Sequence, residues 1–124
     1  MRTAISIGAV LVVAMLSGVS SPAKEVVEIR LRGQFWAAPA TVPFIVAVEP
    51  APSNRTLFVE ADGEDFYRSS EMELDGEKEK RLHTIEFRSL PAGEYVLRAE
   101  VRSDTKILGA TQQKLLVTGA RGEH

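Results

Sequence analysis

The sequence predicts an all-β fold in which two antiparallel sheets pack face to face. Apolar and polar residues alternate with a period of two in short runs, which is the pattern of strands with one buried face. Turn residues separate these runs at intervals of about a dozen residues, as in small sandwiches. Outside the amino-terminal segment, no stretch has the apolar spacing of an amphipathic helix. This combination is typical of a β-sandwich or a small barrel.

Seven strands are predicted between residues 27 and 118, and turn chemistry separates them. Pro50, Pro52 and Asn54 close the second strand, and Asp-Gly pairs and a Ser-Asp-Thr hairpin tip mark later turns. The alternation in the last strand slips near Gly109, which indicates a β-bulge. The predicted strands cover residues 27–31, 44–48, 57–61, 66–74, 83–87, 95–101 and 107–118.

Composition limits the chain to one domain and excludes several functions. The 124 residues are 44% hydrophobic and 26% charged, which is the mixture of a folded protein. The net charge of -2 gives no bulk attraction to nucleic acid. The chain has no cysteine, which excludes disulfides, thiolate zinc sites, thiol catalysis and attachment of lipid through a cysteine.

The first 23 residues have the features of a signal peptide. Arg2 precedes an apolar block at residues 5–16, and small residues at Ser21 and Ala23 fit the cleavage positions. We therefore expect a domain over residues 24–118, a flexible tail over 119–124, and a periplasmic or secreted location. The alternative is an uncleaved membrane anchor, although the apolar block is short for a spanning helix.

A motif between the fifth and sixth predicted strands suggests a more specific fold. The stretch Leu90-Pro-Ala-Gly-Glu-Tyr95 resembles the corner of immunoglobulin-like and fibronectin type III domains of bacterial secreted proteins. The longer stretch from Phe87 to Leu97 is similar to the carboxypeptidase regulatory-like sandwich of bacterial secreted proteins. The resemblance implies a seven-stranded antiparallel immunoglobulin-like β-sandwich in which Leu90, Gly93 and Tyr95 are structural. It also implies a hydrogen bond from the Tyr95 hydroxyl to the upstream backbone.

The sequence contains no recognisable catalytic or cofactor-binding set. His83 and His124 are the two histidines, and His83 shares a strand face with Ile85 and Phe87, which favours a packing role. No serine lies in a Gly-x-Ser-x-Gly elbow, and no phosphate-binding loop is present. We expect no catalytic, cofactor or metal residues, and a non-catalytic module that binds a protein or has a structural role. The alternatives are a carbohydrate-binding module and a small carboxylate-dependent hydrolase.

An acidic segment is one candidate for binding a partner. Acidic residues outnumber basic ones over residues 60–79, where Asp62, Glu64 and Asp65 surround a turn. Such a segment can recognise a basic partner, and its oxygens can hold Ca²⁺. The simpler interpretation is a solvated edge hairpin whose charges prevent aggregation.

Aromatic and apolar residues offer a second set of candidates. Phe58 is expected to point outward beside Val96, giving a small apolar patch, and Phe35 and Trp36 lie in a predicted loop. Loop aromatics bind sugars or protein partners, but more often they cap the end of a sandwich. Asn54 forms a glycosylation sequon but is expected to be a turn residue. A protein partner is favoured over a carbohydrate because the aromatic residues lie in separate segments.

Overall fold

Eight strands and one turn of 3-10 helix form the part of the chain that the computed structural model describes, residues 26–119. The predicted signal peptide and residues 120–124 of the predicted tail lie outside the described residues. No helix within residues 26–119 is long and apolar enough to cross a membrane. The strands are β1 (Val27–Leu31), β2 (Phe35–Ala37), β3 (Ala40–Val48), β4 (Thr56–Gly63), β5 (Tyr67–Glu73), β6 (Leu82–Leu90), β7 (Gly93–Arg102) and β8 (Ile107–Thr118), with the 3-10 turn at Gly76–Lys78.

The strands form two sheets, which confirms the predicted all-β, two-sheet fold. One sheet has the order β1-β3-β6, and the other has the order β2-β8-β7-β4-β5. Every pairing is antiparallel except that of β2 with β8. The predicted count of seven strands is wrong by one, because Phe35–Ala37 pairs with the end of β8 as a short parallel strand.

The core consists of the side chains that the alternating pattern directs between the sheets. Leu57, Leu97 and Val101 of the larger sheet are fully buried, as is Val46 of the smaller sheet. Burying each such side chain stabilises the fold by about 1.5–3 kcal/mol relative to leaving it in water. Since neighbouring residues on a strand face opposite ways, this burial also fixes which side chains of each strand face solvent.

The corner at the start of β7 is held by a buried tyrosine. The hydroxyl of Tyr95 donates a hydrogen bond to the carbonyl of Pro91 over 2.7 Å, and the ring is buried. A Cβ at Gly63 would lie 2.7 Å from the Tyr95 ring, closer than such contacts occur. The ring therefore requires glycine at the end of β4. Burial raises the pKa of the Tyr95 hydroxyl, and the nearby charge of Asp65 adds to this.

The predicted bulge in β8 is confirmed. The pairing of β7 with β8 shifts between Val101 and Arg102, whose partners are Gly109 and Ile107. A Cβ at Gly109 would lie 2.8 Å from the Cβ of Val26, so the missing side chain lets the chain before β1 pass close to β8. The bulge thus lies where the residue before β1, Val26, contacts β8.

Two polar side chains are buried beside the core. His83 is confirmed as a packing residue, and its burial lowers the pKa of its imidazole, so the ring is neutral at pH 7. Asn54 donates a hydrogen bond from Nδ2 to the carbonyl of Glu49 over 2.9 Å and is also buried. Asn54 is therefore a turn residue, as predicted, and its side chain is buried in the folded chain.

Substitution of Tyr95 tests the corner. Tyr95→Phe removes the hydrogen bond to Pro91 and should lower the free energy of unfolding by about 1–2 kcal/mol. Tyr95→Ala also leaves a cavity and should lower it by about 3–5 kcal/mol. Urea denaturation gives both values. The control is Tyr67→Phe, since the exposed Tyr67 bonds only a surface carboxylate, and it should change stability by less than about 0.5 kcal/mol. Equal midpoints for all three variants would show that the corner does not stabilise the fold.

Candidate functional site

One surface collects most of the side chains that carry interaction chemistry, namely the side of the five-stranded sheet that faces away from the smaller sheet. The pairing register places Phe58 opposite Glu100, Glu60 opposite Arg98, and Asp62 opposite Val96. We call this surface the outer face. It comprises Phe58, Glu60 and Asp62 of β4, Tyr67, Ser69 and Glu71 of β5, Val96, Arg98, Glu100 and Arg102 of β7, and Gln112 and Lys114 of β8.

A carboxylate is buried at the centre of the outer face. Glu100 is only 6% exposed, although its side chain points away from the core. Arg98 donates to one carboxylate oxygen over 2.7 Å, and Arg102 donates to the other oxygen over 2.7 and 2.9 Å. Both arginines are about one-third exposed, so the two guanidinium groups cover the carboxylate and face solvent themselves.

The two arginines keep Glu100 ionised. Desolvation is the largest single influence on the pKa of Glu100 and raises it. The hydrogen bonds from Arg102 and Arg98, together with their positive charges, outweigh desolvation, so the pKa lies below its ordinary value. The outer face therefore holds an Arg–Glu–Arg arrangement with one net positive charge at neutral pH.

Two aromatic rings lie beside this charged centre, both on its β4–β5 side. The guanidinium of Arg102 lies over the ring of Phe58, 4.6 Å from its centroid, which is a cation–π contact. The hydroxyl of Tyr67 donates to a carboxylate oxygen of Glu60 over 2.5 Å. Glu60 lies opposite Arg98, so the outer face carries a row of ordered polar and aromatic side chains across three strands.

The predicted apolar patch of Phe58 and Val96 does not form. Both residues lie on the outer face, but the row of Glu60 and Arg98 separates them. The expectation that they are neighbours is therefore wrong. Phe58 is half-buried beneath Arg102, so the patch is replaced by a mixed charged and aromatic surface.

The acidic candidates are divided between two places. Asp62 lies on the outer face, whereas Glu64 and Asp65 lie in the turn between β4 and β5, beside the Tyr95 corner. Within residues 26–119, no group of three histidine, cysteine, aspartate or glutamate side chains is arranged to hold a metal ion. The described carboxylates therefore do not form the calcium site that was considered from the sequence.

The two predicted loop aromatics lie in β2 and point to opposite sides. Trp36 packs against the core and donates a hydrogen bond from Nε1 to the carbonyl of Gly33 over 2.8 Å, which fits the capping role. Phe35 is 70% exposed. Phe35 borders a groove of about 360 Å³ at the margin of the outer face, lined also by Gln34, Glu94, Tyr95, Val96, Lys114, Leu115 and Leu116.

Sequence reasoning missed the three residues at the centre of the outer face. Arg98, Glu100 and Arg102 are not among the candidate residues named from the sequence, where they are only the polar residues that alternate with apolar ones in a predicted strand. Their spacing of two residues with alternating charge is visible in the sequence and places all three on one face of a strand. The pattern does not show which strand lies beside β7, so it does not show that the Phe58 ring packs on Arg102.

Comparison with known proteins shows the fold but no family. No protein-family model matches the chain, and neither does any curated protein. The fold is similar to the solved structure of superoxide reductase (neelaredoxin) from Ignicoccus hospitalis, variant E23A, with a TM-score of 0.59 and 16% sequence identity. The match covers 75% of this chain and 80% of that chain. At this identity, the likeness shows a shared β-sandwich fold.

This comparison corrects three predictions. The chain is not identified with immunoglobulin, fibronectin type III or carboxypeptidase regulatory-like domains, since the similar solved structure is a superoxide reductase. The predictions of a non-catalytic module and of a chain that is not an enzyme are also corrected, because a superoxide reductase has a similar fold and the fold therefore gives no ground for excluding catalysis. The physical reason is that a corner of six residues specifies a local turn and packing geometry, which unrelated sandwiches share.

Neutralising Glu100 tests the energetics of the outer face. Glu100→Gln leaves two arginines without their carboxylate and should lower the free energy of unfolding by about 1–3 kcal/mol at pH 7. The folded-state pKa is depressed, so this stability is present above the unfolded value of about 4.3 and is lost as pH falls through the folded value. The difference between wild type and variant should therefore shrink in acid.

The measurement is urea denaturation between pH 7 and pH 2. The matched control is Glu94→Gln, which removes an exposed carboxylate near the same surface and should have almost no effect. A Glu100→Gln variant as stable as the control at pH 7 would contradict the assigned role of the ion pairs.

Proposed function

We propose that this chain recognises a protein partner through the outer face. The observation that carries the proposal is the ordered cluster of Arg98, Glu100, Arg102 and Phe58 at the centre of an open sheet. The smaller sheet covers the opposite side of these strands, whereas no other part of residues 26–119 covers this one. The proposal concerns recognition and is independent of whether the chain also catalyses a reaction.

The cluster is organised before any partner arrives. Both arginines are fixed by Glu100, and Arg102 is further fixed by the ring of Phe58. Immobilising a flexible side chain on binding costs about 0.5–1.5 kcal/mol, and this cost is reduced where the side chain is already ordered. Arginine and aromatic residues are also the types that contribute most binding energy at protein interfaces.

The chemistry of the outer face favours a protein over a carbohydrate. Sugar rings stack on open aromatic faces, but the Arg102 guanidinium already lies over Phe58, and the exposed rings of Phe35 and Tyr67 lie at opposite edges of the sheet. The outward sides of the two guanidinium groups instead suit carboxylates, which arginine binds with two parallel hydrogen bonds. Glu60, Asp62 and Glu71 lie on the β4–β5 side, so a complementary partner has acidic groups facing β7 and basic groups facing β5.

We infer that this recognition takes place outside the cytoplasm. The support is the amino-terminal segment, where the apolar block at residues 5–16 follows Arg2 and precedes the small residues Ser21 and Ala23. Mass spectrometry of the purified chain, giving its first residue, tests cleavage after Ala23.

Reduction of superoxide is the activity that the similar structure suggests, and the described residues do not fit it. That reaction transfers an electron to superoxide, and proteins hold redox-active metals with histidine, cysteine, aspartate and glutamate side chains. This chain has no cysteine and two histidines, of which His83 is buried in the core and His124 lies outside the described residues. Residues 26–119 contain no group of three such side chains arranged for a metal. We therefore derive no redox step for this site.

Metal loading tests this disagreement. After incubation with ferrous iron and removal of unbound metal, we expect the protein to retain far less than one iron per chain by elemental analysis. Replacement of His83 by leucine should leave the retained amount unchanged. A different outcome would support the activity of the similar structure. In that case the protein would retain one iron per chain, would lose it in His83→Leu, and would consume superoxide.

Site-specific photo-crosslinking tests partner recognition through the outer face. A photoreactive amino acid replaces the exposed Asp62, which lies beside Val96, and the chain is irradiated in its native extracytoplasmic compartment. The matched control carries the same group at Thr84, an exposed position in β6 of the other sheet. We expect a crosslinked protein from position 62 only.

Variants of the cluster decide whether that crosslink reports specific binding. Arg102→Glu, introduced with the crosslinker at position 62, places like charges beside Glu100 and should abolish the crosslink. Arg102→Lys keeps the charge but loses the two-pronged hydrogen bonds, so it should retain part of the yield. Equal yields from positions 62 and 84, or a yield that Arg102→Glu does not reduce, would overturn the proposal.

A further inference from the structure

The edge of the five-stranded sheet beside β2 is only partly covered. β2 pairs with residues 116–118 of β8, and no strand of the described chain lies beside the preceding residues of β8 on that side. The backbone N–H of Leu116 donates to the carbonyl of Gln34 over 2.7 Å, which shows that this residue points its backbone groups toward β2. Backbone groups alternate along a strand, so Gln112 and Lys114 direct theirs to the same, open side.

This open edge lacks the charged residues that sheet edges usually carry. Charged residues on edge strands prevent unwanted pairing with other strands. From Ile107 to Gln113 the sequence of β8 contains no charged residue, and Lys114 is the first. The strands at the other three edges carry charges that face solvent or lie close to it, among them Glu28 and Arg30 in β1, Arg68 and Glu71 in β5, and Glu86 and Arg88 in β6.

Exposed apolar residues lie at the two ends of the open edge. Ile107 is 53% exposed at the start of β8, and Phe35 is 70% exposed beside Leu116. The groove of about 360 Å³ lies at the Phe35 end and is lined in part by Val96, Lys114 and Leu116. An apolar side chain at one end of the edge and a groove with Phe35, Val96 and Leu116 in its walls at the other end make the edge self-complementary.

From these features we infer that the open edge of β8 pairs with β8 of a second copy of this chain. The two strands run antiparallel about a two-fold axis next to Thr111. Ala110 of each copy then lies opposite Gln112 of the other, and their outward N–H and carbonyl groups form reciprocal hydrogen bonds. Lys114 lies opposite Ile107 of the second copy once the bulge is counted, so no like charges are opposed. A two-fold axis makes every contact occur twice.

The same arrangement fills the groove. Because Leu108 is the extra residue of the bulge, Ile107 of the second copy lies opposite Lys114, two residues before the position where β2 begins beside β8. The side chain of Ile107 is on the outer-face side, because the bulge pairs it with Arg102. It therefore reaches the groove beside Phe35, and the reciprocal contact covers the other Phe35. The pairing joins two five-stranded sheets into one.

Sedimentation velocity over a range of concentrations tests this inference. The purified protein, with its amino terminus established by mass spectrometry, should change from monomer to dimer as its concentration rises. Ile107→Lys and Phe35→Lys each place a charge in the groove and should weaken the dimer at least about tenfold. Leu82→Lys is the matched control, since Leu82 is similarly exposed at 46% but lies on β6 of the other sheet, and it should dimerise like wild type.

Amide hydrogen exchange provides a second measurement on the unaltered chain. The amides of Ala110 and Gln112 should exchange more slowly in the concentrated sample than in the dilute one, whereas the Leu115 amide, which faces β7, should be unchanged. A wild type that stays monomeric at every concentration would overturn the inference. So would a dimer that Ile107→Lys and Phe35→Lys do not weaken, or that leaves the Ala110 and Gln112 amides unprotected. Because Ile107→Lys and Phe35→Lys are read by sedimentation of the purified chain, whereas partner recognition is read by the crosslink from position 62, failure here is distinguishable from failure of partner recognition.

Discussion

The structure depends on the alternation of side chains along β7. The core side of β7 contributes Leu97, Ala99 and Val101, all fully buried against the smaller sheet. Because a one-residue slip would turn these side chains toward water and bring charged ones into the core, their burial fixes the register of β7 with both β4 and β8. Everything on the outer face follows from that register.

Burial in the core thus creates the charged cluster on the opposite side. With the odd-numbered residues of β7 directed inward, Arg98, Glu100 and Arg102 must face outward in a row. At a spacing of two residues their side chains are close enough for both guanidinium groups to reach one carboxylate. The two hydrogen-bonded arginines offset the desolvation of Glu100, and the carboxylate stays ionised although it is buried.

The sequence allowed prediction of features that depend on local pattern. The alternation indicated seven of the eight strands, and the slip near Gly109 indicated the bulge, because both depend on residues within one strand. The short β2 was missed because three residues are too few to show a period, and its pairing partner lies far away in the sequence. The turn role of Asn54 was predicted from the neighbouring Pro50 and Pro52, whereas its burial was not.

Features that depend on how two strands are aligned could not be predicted from the sequence. Phe58 and Val96 were each assigned correctly to an outward face, but their separation depends on how β4 and β7 are aligned, which the turns at distant ends determine. The same limit explains the mistaken family resemblance. The Leu90–Tyr95 corner describes how one strand turns into the next, and such a corner stabilises a sandwich whatever its strand order or activity.

The length of β2 determines how much of the β8 edge is left unpaired. β2 covers β8 only at its last residues, since Gly33 and Gln34 lead the chain across from the smaller sheet and Pro39 follows closely. A longer β2 would satisfy the backbone groups of Gln112 and Lys114 and would fill the groove beside Phe35. The brevity of β2 therefore leaves an uncharged edge next to the ordered outer face. A second sheet added at that edge would continue the outer face across both copies and double the number of Arg98–Glu100–Arg102 clusters on it.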